Sequence, residues 1–228
     1  MTTSVTFPAS LKNKLIVSCQ ALPGDPLDNV DTLRRMALSV IRGGAGGLRL
    51  GGKDSISLLR LETKLPIIGI LKRYENDELF ITPDFASAQV IVDAGADVIG
   101  LDCSARRPAS AEPWPELLPR IQNRLGKPVL ADIATLEEAF AAEQAGASAV
   151  ATTMFGYTPE TAGKRFVSWP LVEQLAKSLH VPVIVEGHVR GPEDLRRAFD
   201  AGAFAVVVGA AITQPEAITA RFIAAIEG

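Results

Sequence analysis

Residues 182–215 read PVIVEGHVRGPEDLRRAFDAGAFAVVVGAAITQP, and the order of segments in this stretch decides the fold. The apolar run Val183-Ile184-Val185 ends in Glu186-Gly187. A helical pattern over 192–201 follows, and a second apolar run over 205–208 ends in Gly209. That is strand, helix, strand, with a glycine at each strand exit. Glycine lets a backbone come close to an anion, and the helix that follows can aim its N-terminal N–H groups at it. With Glu186 beside the first glycine, the stretch reads as a phosphate seat flanked by a carboxylate.

The same unit recurs upstream. Ala-Gly-Ala stands at 94–96, 145–147 and 201–203, each time before an apolar run, and Gly44-Ala45-Gly46 is a weaker version. Proline opens the alternate runs at Pro66, Pro128 and Pro182. Strands are expected at 15–20, 48–50, 67–71, 97–102, 129–132, 149–153, 183–186 and 205–208. Helices are expected between them, one opened by Thr82-Pro83 with Thr82 as N-cap and one by the capping box Thr135/Glu138. Residues 1–12 read as a loose arm or a short covering helix, and the last helix spans 215–226. Four copies of the unit give eight strands alternating with helices, an α/β chain expected to close as a (β/α)8 TIM barrel, one domain over 1–228. The rival is an open, doubly wound sheet; the count of eight and the absence of an edge signal favour the barrel.

Composition narrows the function. A chain of 228 residues that is 47% hydrophobic can bury a large core. A net charge of −3 gives no reason to expect nucleic acid or an acidic membrane as partner. Two cysteines, Cys19 and Cys103, are too few for a disulfide framework or a cysteine-based zinc cluster, and His180 and His188 do not make a metal set. The N-terminus shows no signal-peptide pattern and no run is long enough to span a bilayer, so a cytoplasmic setting is expected.

In a barrel of this kind the chemistry sits at the C-terminal strand ends. Those ends are Gln20, Lys72, Asp132 and Glu186 on the odd strands, and Arg49, Asp102, Thr153 and Gly209 on the even ones. Counted from the opening prolines, Asp132 and Glu186 stand at offset four and Lys72 at offset six, so all three point the same way. Gln20, Lys72, Asp132 and Glu186 are therefore expected to converge on one mouth. A lysine with two carboxylates beside a phosphate seat suits proton abstraction next to a carbonyl. To act as a base, Lys72 needs its pKa lowered; burial and the cations Arg73 and Arg49 would lower it, and a close carboxylate would raise it. Asp102 reads equally as structural or functional.

These residues resemble the N-acetylmannosamine-6-phosphate 2-epimerase family. The resemblance is carried by Leu15-Ile16-Val17-Ser18-Cys19-Gln20-Ala21, Ile70-Leu71-Lys72-Arg73, Ala131-Asp132-Ile133, Thr152-Thr153 with Gly156-Tyr157-Thr158, Val185-Glu186-Gly187, and the run from Val208-Gly209 to Thr213. It implies interconversion of N-acetylmannosamine 6-phosphate and N-acetylglucosamine 6-phosphate in amino-sugar (sialic acid) catabolism, with no redox cofactor and no metal. It implies that Lys72 exchanges the C2 proton, that Glu186 assists, and that Asp132 supports the centre. Gln20, Arg49, Thr153 and Tyr157 would contact the sugar, and the backbone at Gly187, Gly209 and Ala210 the phosphate. A homo-oligomer, a dimer, is expected. The pattern departs at Gln214, where members of the family often carry arginine; Arg190, or Lys164-Arg165, is the expected compensating charge. His188 departs likewise from a longer basic residue. Two other readings stay open. One is a different phosphosugar epimerase or isomerase, of which the pentose-phosphate type would want metal-ligating histidines. The other is a non-catalytic phosphosugar sensor, which need not keep Lys72 and Glu186.

Overall fold

The computed structural model describes residues 5–75, 78–107 and 110–227. In chain order its strands are β1 (Leu15–Cys19), β2 (Gly47–Gly51), β3 (Ile67–Ile70), β4 (Lys72–Glu75), β5 (Glu78–Ile81), β6 (Val98–Asp102), β7 (Val129–Asp132), β8 (Ala149–Ala151), β9 (Val183–Glu186) and β10 (Ala205–Val208). Eight of them close a parallel barrel in the order β1-β10-β9-β8-β7-β6-β3-β2, and β4 and β5 form a separate antiparallel hairpin. The closing pair aligns Leu15 with Val206 and Val17 with Val208, which rules out the open sheet. The helices are α1 (Val30–Arg42), α2 (Lys53–Arg60), α3 (Phe85–Asp93), α4 (Trp114–Leu125), α5 (Leu136–Gln144), α6 (Trp169–Ser178), α7 (Pro192–Asp200), a short α8 (Ala210–Thr213) and α9 (Pro215–Glu227).

The period of two along each strand sorts the core into an inside and an outside. Ile16, Ile68, Val98, Leu130, Ala149, Ile184 and Ala205 pack together within the barrel. Their neighbours Val17, Leu48, Ile67, Ile99, Val129, Val150 and Val183 join the core shared with the helices. The barrel floor is closed by residues 5–11 of the N-terminal arm, whose residues 1–4 lie outside the described residues. A 3₁₀ turn, Ala9–Leu11, buries Leu11 completely, and Phe7 sets its ring edge-on to Phe204 at 6.0 Å.

The recurring tripeptide is a helix stop. Gly44, Gly95, Gly146 and Gly202 have φ of 96°, 105°, 95° and 96°, the left-handed region where a side chain is strained. The alanine after each donates its N–H five residues back, to Val40, Ile91, Ala142 and Ala198, and each glycine donates three residues back. This is the Schellman closure at all four sites. The Gly44 copy is as complete as the others.

Three expectations need correction. The third barrel strand stops at Ile70, and Lys72 opens the hairpin, paired with Ile81. Thr82 is not an N-cap. It is fully buried at φ 50°, its N–H donates to Leu71 O at 2.7 Å, and its hydroxyl accepts from Leu71 N at 3.3 Å, closing the hairpin's base. Asp84 caps α3 instead, accepting from Ser87 N. The strand at 149 ends at Ala151, and Thr152–Met154 turns as a 3₁₀ segment that carries Thr153 to the mouth. The Thr135/Glu138 capping box forms as expected.

Candidate active site

Arg49 is the hub. β2 carries it at the height of Ser18 on β1 and Ile68 on β3, and its side chain is 1% exposed. Its guanidinium fork meets Asp132 with Nη1–Oδ1 at 2.9 Å and Nη2–Oδ2 at 2.6 Å, and Nη1 also reaches Glu186 Oε2 at 2.6 Å. Thr153 Oγ1 donates to Asp132 Oδ1 at 2.5 Å. Gly100, in the middle of β6, makes room: a Cβ there would lie 2.6 Å from Ile70 Cγ2 and 3.3 Å from Arg49 Nη2. A glycine inside a strand marks this kind of close approach.

One cation shared by two acids leaves a surplus negative charge in a dry place. Burial works against the Arg49 charge, but Asp132 and Glu186 together hold it firmly cationic. The Glu186 carboxyl is pushed up to about 7, first by burial; Arg49 and the Thr153 hydroxyl oppose the rise and the Asp132 charge adds to it. Lys72 is pushed down by burial and by the Arg49 charge, against the pull of Asp28 and Glu186. A carboxyl drawn up to about 7 can change protonation state near neutral pH, and the amine is moved in the direction a base requires.

A cavity of about 710 Å³ opens over this cluster at the C-terminal mouth. Its wall joins Lys72 and Glu186 to the exits of β9 and β10, where Gly187 and His188 are both left-handed, at φ 97° and 60°. The His188 ring stacks on Tyr157 at 5.5 Å and 17°. Burial lowers the His188 pKa, with Arg165 and Arg190 acting in the same sense. Among the described residues, no group of three or more His, Cys, Asp or Glu side chains could hold a metal ion.

The chain matches the family model described as "Putative N-acetylmannosamine-6-phosphate epimerase" over residues 33–228. The chain belongs to this epimerase family. A relative from Clostridium perfringens named "Putative N-acetylmannosamine-6-phosphate 2-epimerase" is 42% identical over 213 residues, 93% of this chain and 96% of its own. One from Clostridioides difficile with the same name is 41% identical over 218 residues, 95% of this chain and 97% of its own. A solved structure of the N-acetylmannosamine-6-phosphate 2-epimerase from Clostridium perfringens superposes with a TM-score of 0.90 at 40% identity, covering 95% of this chain and 94% of that one. A dihydropteroate synthase from Xanthomonas albilineans, at TM-score 0.60 and 18% identity, shares the fold alone.

In this epimerase-family chain, Gln20, Arg49, Lys72, Thr153, Tyr157, Glu186, Gly187, Gly209 and Ala210 all line the one cavity. Asp132 does not: it is fully buried behind Arg49. Arg73 turns away to pair with Asp84, so it is not among the charges acting on Lys72. Lys164 and Arg165 are not on the wall either; they lie over the rings of Phe155 and Tyr157, at 5.7 and 4.7 Å. Asp102 is fully buried, accepts from Ser104 N and Oγ, and stands 3.7 Å from Arg106, so it braces the exit of β6. Sequence reasoning missed Ser18, Arg106 and Arg221 on the wall, and Leu79 and Ile81, which the hairpin adds. Ser18 shares the parity of Gln20 and was open to the same argument.

Proposed function

We propose that this chain interconverts N-acetylmannosamine 6-phosphate and N-acetylglucosamine 6-phosphate by taking the proton from C2 and returning it to the opposite face. The observation that carries the reading is the placing of Lys72 and Glu186 on one cavity wall, with opposite pKa displacements around Arg49. In the open-chain sugar C2 neighbours the C1 aldehyde. Neutral Lys72 Nζ takes the C2 proton, and the C–H electron pair moves through C1 to the carbonyl oxygen as an enolate. The cations of the wall stabilise that charge as it grows. Glu186 gives or accepts the second proton, and when a proton adds to the other face of C2 the configuration is inverted. No atom is gained or lost overall.

Asp132 acts at one remove, by fixing Arg49. Gln20, Thr153 and Tyr157 hold the hydroxyl and acetamido groups. The backbone at Gly187, Gly209 and Ala210 receives the phosphate. The substrate is a small phosphosugar held in one barrel domain, and the setting is cytoplasmic, in keeping with the two free, buried cysteines. Among the described residues no helix is long and apolar enough to cross a membrane. The chain forms a homodimer, which the mass in solution tests.

The test of function is incubation with N-acetylmannosamine 6-phosphate in D₂O with C2 followed by NMR. Deuterium appearing at C2 of both epimers is the expected result. Binding without exchange would make the chain a sensor and remove the reading.

A further inference from the structure

The wall of the main cavity is lopsided in charge. Among the described residues it carries five cationic side chains, Arg49, Lys72, Arg106, Arg190 and Arg221, against the carboxylate of Glu186 alone. Arg49 is spoken for by Asp132 and Glu186, and Arg106 stands 3.7 Å from Asp102. Among the described residues neither the Arg190 nor the Arg221 side chain takes part in an ion pair with a carboxylate. These two line the same cavity as Gly187, Gly209 and Ala210.

Arg221 arrives there from far along the chain. Ala217 and Arg221 stand four residues apart on one face of α9, Gln214 immediately precedes that helix, and all three line the cavity. Side chains on a helix lean toward its N-terminus, so Arg221 reaches back over Ala217 toward Gln214 and the exit of β10. Its Nη1 donates to Arg190 O at 3.3 Å, which ties the last helix to the loop after β9. Arg190 in turn donates from Nη2 to Arg165 O at 2.8 Å. Gln214, beside the β10 exit, brings no charge of its own.

We propose that Arg221, with Arg190 as its neighbour, supplies the positive charge that binds the phosphate of the substrate and so selects phosphorylated over free amino sugars. The inference rests on the epimerase reading, since it names what holds the 6-phosphate at the same cavity. A phosphate monoester carries a charge of about −1.5 to −2 at pH 7, and backbone N–H groups alone leave most of it uncompensated. A guanidinium offers paired, charge-assisted hydrogen bonds to its oxygens. Arg221 makes no hydrogen bond or ion pair to Arg49, Lys72 or Glu186 among the described residues, so losing it removes phosphate binding common to ground state and transition state.

The test is steady-state kinetics together with calorimetric titration of inorganic phosphate, on the wild type, Arg221→Ala, Arg221→Ala with Gln214→Arg, and Gln214→Arg alone. Arg221→Ala is expected to raise KM for N-acetylmannosamine 6-phosphate about 10- to 100-fold, the scale of a hydrogen bond to a charged group, with kcat nearly unchanged. The Kd for inorganic phosphate should rise in step. Gln214→Arg should recover most of the loss in the double variant, and by itself should tighten inorganic phosphate. Unchanged KM and phosphate Kd in Arg221→Ala, with circular dichroism like that of the wild type, would overturn the proposal while C2 exchange in the wild type upheld the epimerase reading. If the wild type exchanges nothing at C2, that reading fails, and the phosphate titrations still decide whether Arg221 binds phosphate. A misfolded Arg221→Ala protein leaves the decision to Gln214→Arg, whose failure to tighten phosphate would count against the proposal.

Discussion

The lower half of the barrel interior is filled by Ile16, Ile68, Val98, Leu130, Ile184 and Ala205. Two residues further along the same strands stand Ser18, Ile70, Gly100, Asp132, Glu186 and Val207, with Arg49 among them. Backbone pairing and direction are shared, and only the side chains change. Below, each large apolar side chain removed from water stabilises the fold by roughly 1.5–3 kcal/mol. Above, a guanidinium and two carboxylates sit in a dry interior, where desolvation cancels most of what their attraction returns. The comparison separates two duties. The floor holds the barrel closed, and the mouth spends some of that stability on groups whose protonation is set for chemistry.

The largest expected effect belongs to the mouth. Lys72→Ala should slow C2 exchange by about 10³- to 10⁴-fold, the upper range for one acid–base group. The melting temperature should hardly move, since Lys72 is half-buried at the rim of the hairpin. Exchange near the wild-type rate would break the division from the functional side. The matching cut in the floor is Leu130→Ala, fully buried among aliphatic side chains. It should cost about 2–5 kcal/mol in denaturant unfolding and leave kcat at moderate temperature close to wild type. A large fall in kcat without loss of stability would show that the two layers are not separable.

Glu186→Gln sharpens the contrast because rate and stability should move in opposite directions. Turnover should fall about 10²-fold. The folded Glu186 carboxyl titrates at about 7, above its ordinary 4.5, so the folded chain binds this proton more tightly than the unfolded one. That contribution to stability is complete below about pH 4.5 and is lost as pH rises through about 7. Glutamine has nothing to ionise and escapes the loss. The variant should therefore gain melting temperature relative to wild type on going from pH 5 to pH 8, read by thermal scans at both. A relative loss over that interval would mean that the ionised carboxylate is a net stabiliser of the fold.

How much of this was legible in the sequence follows from the range of each interaction. The Ala-Gly-Ala stops and the opening prolines are local devices, and they gave the barrel its count. Parity along single strands was enough to point Asp132 and Glu186 inward. The ion pairs that define the site join residues 83 and 137 positions apart, so no local pattern says that Arg49, rather than Lys72, takes both acids. The hairpin escaped notice because Lys72-Arg73-Tyr74-Glu75 is too charged to look like a strand, and its pairing depends on the Leu71–Thr82 contacts at its base. Thr82-Pro83 resembled a helix start because Thr and Pro favour one, yet Asp84 two residues on offered the better cap. Arg221 lay beyond every motif, brought to the mouth only by the spacing of α9.

The smallest expected effect tests how the mouth is tuned from outside. Beside the main cavity lies a second of about 300 Å³ whose wall includes Gln20, Asp28, Lys72 and Tyr74. Asp28 is exposed, and its charge raises the Lys72 pKa against the lowering by burial and Arg49. Asp28→Asn removes that pull, so Lys72 should reach its neutral form at lower pH. The acid limb of the kcat/KM profile should then shift toward lower pH, with the plateau unchanged. Because Asp28 is exposed, the shift should shrink as salt is raised from about 0.01 to 1 M, where the screening length falls from about 30 to 3 Å. An acid limb that stays in place at low salt, or moves upward, would mean that the limb belongs to a group other than Lys72. The assignment of the C2 base would then have to change.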